Sequence, residues 1–265
     1  MRPIPPPPWL MNYAGKIPSI VTSIRQHPEG VAPTLESIPQ LNTSMMKCEP
    51  LSSMIRDMQE TGFKRWGFVI FRSAYTDESQ WKSYIEFFKA AVEDDLKFYE
   101  ISTLLMPHLE WTIIEDHETL NNASKQEVRE RFSQWTAERS VERDGPGAEE
   151  PFVEKRPRFQ YCIYVDQKCL DTFDQYKAWA ESGAEGIMKE VVCVILDKNC
   201  KKSGRGSRGF PRVEGCKKEY TGWMYTSVDS ISDVYNRLSF EDLADHDYRR
   251  PPEVWPSIEF VMPIV

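Results

Sequence analysis

Arg65-Trp66-Gly67-Phe68-Val69-Ile70-Phe71-Arg72, then Asp77 to Tyr99, then Leu109-Glu110-Trp111-Thr112-Ile113-Ile114-Glu115 are the three stretches that decide the fold. The first is a compact run of β-branched and aromatic residues and reads as a strand. The second carries Trp81, Tyr84, Ile85, Phe88, Val92, Leu96 and Tyr99 at three- and four-residue steps, the wide apolar stripe of a helix packed on a core. Thr76-Asp77-Glu78 supplies its cap and acidic first turn. The third stretch is a second strand.

The pattern returns downstream. Arg158 to Asp166 is again aromatic and β-branched, Gln167 to Glu181 places Leu170, Phe173, Tyr176 and Trp179 in helical step, and Glu190 to Asp197 is a second apolar strand. Gly183 and Gly186 end the helix between them. Two strand–helix–strand units in tandem predict an α+β fold, a ferredoxin-like βαββαβ sandwich. A helix opening at Ser124-Lys125-Gln126-Glu127 and running to about Ser140, with Val128, Phe132 and Trp135 inward, is inserted between the halves. Gly222 to Val228 adds a fifth strand, Asp229-Ser230 caps a short helix with Ile231, Val234, Tyr235 and Leu238, and Ile258 to Met262 offers an edge strand. A parallel α/β sheet is the alternative that the long helices also permit. The short, aromatic-rich strands favour the sandwich.

Around this core the chain changes character. Residues 1–50 hold ten of the nineteen prolines and read as a Pro-rich arm, its Pro5–Pro8 run suited to polyproline II. The arm's Ile, Leu and Met content predicts that it docks. Residues 51–265 form a single domain, entered by a short amphipathic helix over Leu51–Glu60 that Gly62 closes. Residues 141–157 are a polar loop. Asp197 to Glu219 carries eight Lys or Arg against three acids, a local charge of +5 that leaves the remainder at −13, and reads as an exposed basic loop.

The net charge of −8 argues against a nucleic-acid partner for the chain as a whole. No apolar run reaches transmembrane length and the N-terminus has no apolar signal core, so a soluble, cytoplasmic protein is expected. The six cysteines are then reduced thiols.

Trp66 to Arg72 followed by Tyr75-Thr76-Asp77, Trp111 to Asp116 followed by Ala123-Ser124-Lys125 and Val128-Arg129-Glu130-Arg131-Phe132, and Gly222-Trp223-Met224 together resemble a large, poorly characterised group of short proteins from filamentous ascomycete fungi. The resemblance covers about residues 60–240. It implies a fungal origin and brings no catalytic residues.

Chemistry is sparse. Cys162/Cys169 and Cys193/Cys200 are spaced too widely for a zinc turn, so no metal is expected. No cofactor fingerprint appears: there is no phosphate loop, no Rossmann glycine motif and no nucleophile elbow. Of the four histidines, His27 is in the arm, His108 follows a proline and His246 sits in an acidic loop, Asp245-His246-Asp247; His117 stands at a strand end in Glu115-Asp116-His117-Glu118, so Asp116 and His117 are the acid–base candidates. The first and third strands are read as running parallel. That places Arg72, Tyr75 and Asp166 at one edge, as a candidate pocket or an Arg72–Asp166 ion pair, with Asp116, His117 and Asp197 at the opposite edge. Glu93-Asp94-Asp95 with Glu100 reads as a solvated acidic face. In the basic loop, Lys201, Lys202, Arg205 and Arg208 are the candidate anion contacts. With no assembled catalytic set, the expectation is a binding or interaction protein whose partner is a protein or a small molecule, with a homodimer left open. The alternative is a small cofactor-free enzyme using acid–base residues at the sheet edge.

Overall fold

The computed structural model describes residues 19–41, 50–184, 186, 188–200, 208–245, 248–256 and 262. The Pro5–Pro8 run, His246, most of the expected edge strand over 258–262, and Lys201, Lys202 and Arg205 lie outside these residues, as does the side chain of Arg208.

The chain is mixed α+β. Among the described residues eight strands are formed: β1 (Val69–Arg72), β2 (Thr112–Ile114), β3 (Tyr161–Val165), β4 (Val192–Asp197), β5 (Arg208–Val213), β6 (Cys216–Lys218), β7 (Trp223–Ser227) and β8 (Val254–Trp255). Among the described residues six helices have seven or more residues: α1 (Ser19–Arg25), α2 (Ser52–Thr61), α3 (Glu78–Phe98), α4 (Lys125–Ala137), α5 (Gln167–Glu181) and α6 (Ile231–Leu238). Six strands make one sheet in the order β2-β1-β3-β4-β7-β8, and β5 and β6 pair separately. Among the described residues, no helix is long and apolar enough to cross a membrane.

Local signals account for the elements. Asp77 caps α3 by accepting from the Ser79 and Gln80 N–H groups, and Ser124 with Glu127 forms a reciprocal capping box on α4. Gly62 closes α2 in the left-handed conformation. Helices cover both faces of the sheet, so its central strands are buried on both sides and read as unbroken apolar runs: every residue from Val191 to Leu196 is buried. Phe68 and Arg72 face α6 and α3, through Tyr235 and Trp81 respectively. Phe71, between them, meets Phe132 of α4 on the other face.

The expected arm docks along its described part. Ile20, Val21, Leu35, Ile38 and Leu41 are all buried in the main core. Gln59 of α2 fastens the segment, donating to the Leu35 and Pro39 carbonyls and accepting from Leu41 N–H.

The strand order departs from the ferredoxin-like expectation. That order puts the second strand antiparallel beside the third, whereas here β2 lies parallel beside β1, which is parallel to β3 on its other side. The 21-residue α3 supplies the crossover that parallel neighbours require. The second half does turn antiparallel, although a helix again intervenes. Helix α5 carries the chain down about 22 Å, and residues 182–191 can span up to about 33 Å to return it to the end where β3 finished. The first half is thus the parallel alternative and the second half the antiparallel one.

The basic segment also differs from an open loop. Its described part is an antiparallel ribbon, β5–β6, closed by Glu214-Gly215 with φ of 46° and 79°. Two central residues at positive φ are the two-residue turn that suits strand twist.

Candidate functional site

Parallel pairing moves the candidates. Because β2 runs parallel to β1, its carboxyl end, with Asp116 and His117, lies at the same edge as Arg72 and Tyr75, not at the opposite one. Asp197 is at the opposite edge, paired with Tyr161 at the start of β3. The carboxyl edge of parallel strands is where open α/β sheets place ligands, so four sequence candidates meet at the informative end of the sheet.

Arg72 is the centre of this edge. Its side chain is 3% exposed and forms ion pairs with Glu78 at 2.7 Å and Glu115 at 3.7 Å. Its Nε donates to the Ala74 carbonyl at 2.8 Å, and its guanidinium lies over the rings of Tyr75 (4.3 Å) and Trp81 (5.0 Å). The Trp81 indole N–H donates to Glu115 at 2.6 Å. The Tyr75 hydroxyl accepts the Asp116 N–H at 2.8 Å, and its ring meets the His117 ring edge-on at 5.0 Å. Burial pushes the Tyr75 phenol above its usual range.

Asp166 stands apart from this cluster. Its carboxylate caps α5, accepting from Cys169 N–H at 3.1 Å, and the carboxylate partners of Arg72 are Glu78 and Glu115 instead. The expected Arg72–Asp166 ion pair is replaced because Glu78, one residue past the α3 cap, reaches the guanidinium first. Thr76 and Gln80 bond to Gln167, closing the seam between β1 and the start of α5.

The acid–base candidates are occupied differently. The Asp116 carboxylate accepts from the Thr119 hydroxyl and N–H and pairs with Arg131 at 3.2 Å, and the Thr119 hydroxyl in first place holds it below the usual carboxylate range. That is the wrong direction for a group that must exchange a proton near neutrality. His117 is exposed.

The acidic face divides into two. Glu93 and Asp94 pair with Lys97, and Glu100 pairs with Arg25, all near the surface. Asp95 turns inward instead, accepting from the Ser232 hydroxyl, with Asp233 and Asp229 near by, and burial pushes its carboxyl up to about 7. Its position was readable, three residues after Val92 and four before Tyr99 on the apolar stripe.

Among the described residues, two small clefts lie elsewhere. One, between α2 and α6, has room for about 10 Å³, and another, between α6 and Trp255, for about 30 Å³. Substrate pockets run to hundreds of Å³. Among the described residues, no group of three His, Cys, Asp or Glu side chains is arranged to hold a metal ion. Comparisons with protein-family models, with curated proteins and with solved structures gave no match.

Proposed function

We propose that this chain is a non-catalytic binding protein that meets a protein partner through its surface. The observation that carries this reading is the closed state of the Arg72 edge. An edge built for turnover would leave its cation and hydroxyl facing a space for substrate. Here the guanidinium is shared between two carboxylates, a carbonyl and two rings, and the Tyr75 oxygen is engaged by a backbone N–H. Each group has its partner within the protein, which is the pattern of a structural staple. The docked arm and the basic ribbon then provide contact surface around an inert core. A second copy of the chain is one such partner.

Native mass spectrometry of protein purified gently from its host tests this. The expected result is a protein–protein assembly, with a partner or with a second copy, and no small ligand. A bound molecule of a few hundred daltons, released on denaturation, would overturn the reading in favour of a cofactor-free enzyme.

A further inference from the structure

On the face of the sheet covered by α4, three aromatic side chains form a floor. Tyr164 of β3 and Trp223 and Tyr225 of β7 are each 4–6% exposed. The first residue of α4, Lys125, lies on this floor at 7% exposure. Its ammonium is 4.1 Å from the centroid of the Trp223 ring and 5.1 Å from that of Tyr164. A buried ammonium needs a carboxylate, and the one it has comes from the ribbon: Glu214, at the tip of the β5–β6 turn, reaches it at 2.5 Å.

Two features mark this contact as a replaceable one. Glu214 sits at φ 46°, a conformation that favours Gly, Asn or Asp. What the position gains from a glutamate is the carboxylate on Lys125. Glu214 is also 54% exposed while its partner is buried, so solvent and other solutes can reach the carboxylate without first unpacking the core. The same ribbon carries Arg212 and Lys217, both exposed and flanking the Val213–Cys216 pair on either side of the turn that holds Glu214. Asp166, the other acid near Tyr164, is engaged in capping α5.

We propose that the ribbon and the Lys125 floor form a docking site for an acidic segment of a partner protein, with Glu214 as a built-in competitor that the partner's carboxylate displaces. The charges point to this occupant. The ribbon over 208–218 carries Arg208, Arg212, Lys217 and Lys218 against Glu214 in a chain of net charge −8, and the Lys125 ammonium, against two rings, already binds a carboxylate. A nucleic acid is disfavoured by the net charge of −8 on the chain as a whole. The inference rests on the binding-protein reading and names its surface.

The test uses fluorescence anisotropy of a labelled glutamate-rich peptide, and in parallel a labelled single-stranded oligonucleotide, against the full chain. Glu214→Gln removes the competitor's charge at an exposed turn and is expected to tighten peptide binding about tenfold, with the oligonucleotide unaffected. Adding Lys125→Met to that variant is expected to abolish the gain. Lys125→Arg, which keeps the charge, is the control for folding and should retain binding. Trp223 emission should shift on peptide binding to Glu214→Gln, since its ring contacts the ammonium. Unchanged peptide affinity in Glu214→Gln, a gain that survives Lys125→Met, or a gain for the oligonucleotide alone would overturn the proposal. A flat Glu214→Gln response alongside a protein partner in the native spectrum would remove this site and leave the broader reading standing. A small ligand in that spectrum would remove the broader reading itself.

Discussion

Replacing Arg72 by methionine separates a structural staple from a binding group. Methionine keeps the reach of the side chain and removes the charge, so the gains and losses can be set against each other. The Ala74 carbonyl, bonded to Nε at 2.8 Å in a buried stretch, loses its donor, a cost of about 1–2 kcal/mol. Two ring contacts, to Tyr75 and Trp81, go as well, at about 0.5–1 kcal/mol each. Glu78 and Glu115 are 58% and 44% exposed and can turn to water, so their loss of a partner adds little. Against these stands the desolvation of the guanidinium, which methionine no longer incurs and which makes some buried ion pairs dispensable. The staple reading predicts that the losses win, by about 2 kcal/mol. Urea unfolding followed by tryptophan fluorescence should show it, and Tm should fall by about 4–8 °C. A neutral or stabilised variant would refute the reasoning, because desolvation would then outweigh the contacts. Unchanged stability with loss of a ligand would make Arg72 a functional group.

Asp95 links stability to pH. Burial holds its carboxyl at about 7 in the fold against an ordinary value of 3.8, so the folded state holds the extra proton between these values and stability falls as pH rises from about 4 to 7. The fall attributable to this group is at most about 4 kcal/mol. Asp95→Asn should flatten the profile of urea midpoints between pH 5 and 8, and parallel profiles would contradict the assignment. Asn236 of α6 accepts from the Ser53 and Met54 N–H groups, capping α2 from a distance where Leu51 offers no side chain. Asn236→Ala should therefore cost about 1 kcal/mol in equilibrium unfolding. In a Cys48→Ser background, a thiol reagent should label Cys216 first and Cys200 more slowly, since burial pushes the Cys200 thiol up. The fully buried Cys162, Cys169 and Cys193 should react only on unfolding, and early labelling of any of them would contradict the packing.

Helices and strands were legible because their signals are local. The stripe from Trp81 to Tyr99 and the cap at Asp77 predict α3 without reference to any other residue, and Gln167 to Glu181 forms over the range its periodicity indicates. Strand order was not legible, because the same β1–α3–β2 sequence pattern is compatible with β2 on either side of β1 and in either direction. That ambiguity decided the site. The acid–base pair moved to the Arg72 edge with the direction of β2, while the Arg72–Asp166 pair gave way to Glu78, a residue visible in sequence only as part of a helix start. The β5–β6 ribbon was missed for a different reason. Composition marks 197–219 as a loop, and the two-residue turn Glu214-Gly215 that signals a hairpin was outweighed by the surrounding glycines and charges.

The carboxyl edge of the parallel strands therefore holds two buried cations on opposite faces of the sheet, joined through the stretch that follows β1. Ser73, next to Arg72, donates to the Ala123 carbonyl, as does the Tyr164 hydroxyl, and Lys125 is two residues further on. The two cations differ in what neutralises them. Arg72 is held by Glu78 in the first turn of α3 and by Glu115 directly after β2, both parts of the sheet-and-helix framework. Lys125 depends on Glu214, carried at the tip of a two-stranded ribbon that lies outside the six-stranded sheet. Displacing one carboxylate from Arg72 leaves the other, the Ala74 carbonyl and the two rings still on the guanidinium. Displacing Glu214 requires only its side chain or the turn to shift, the less costly motion for an element with few buried apolar contacts. The same need to neutralise a buried cation thus gives a fixed staple on one face and an exchangeable contact on the other.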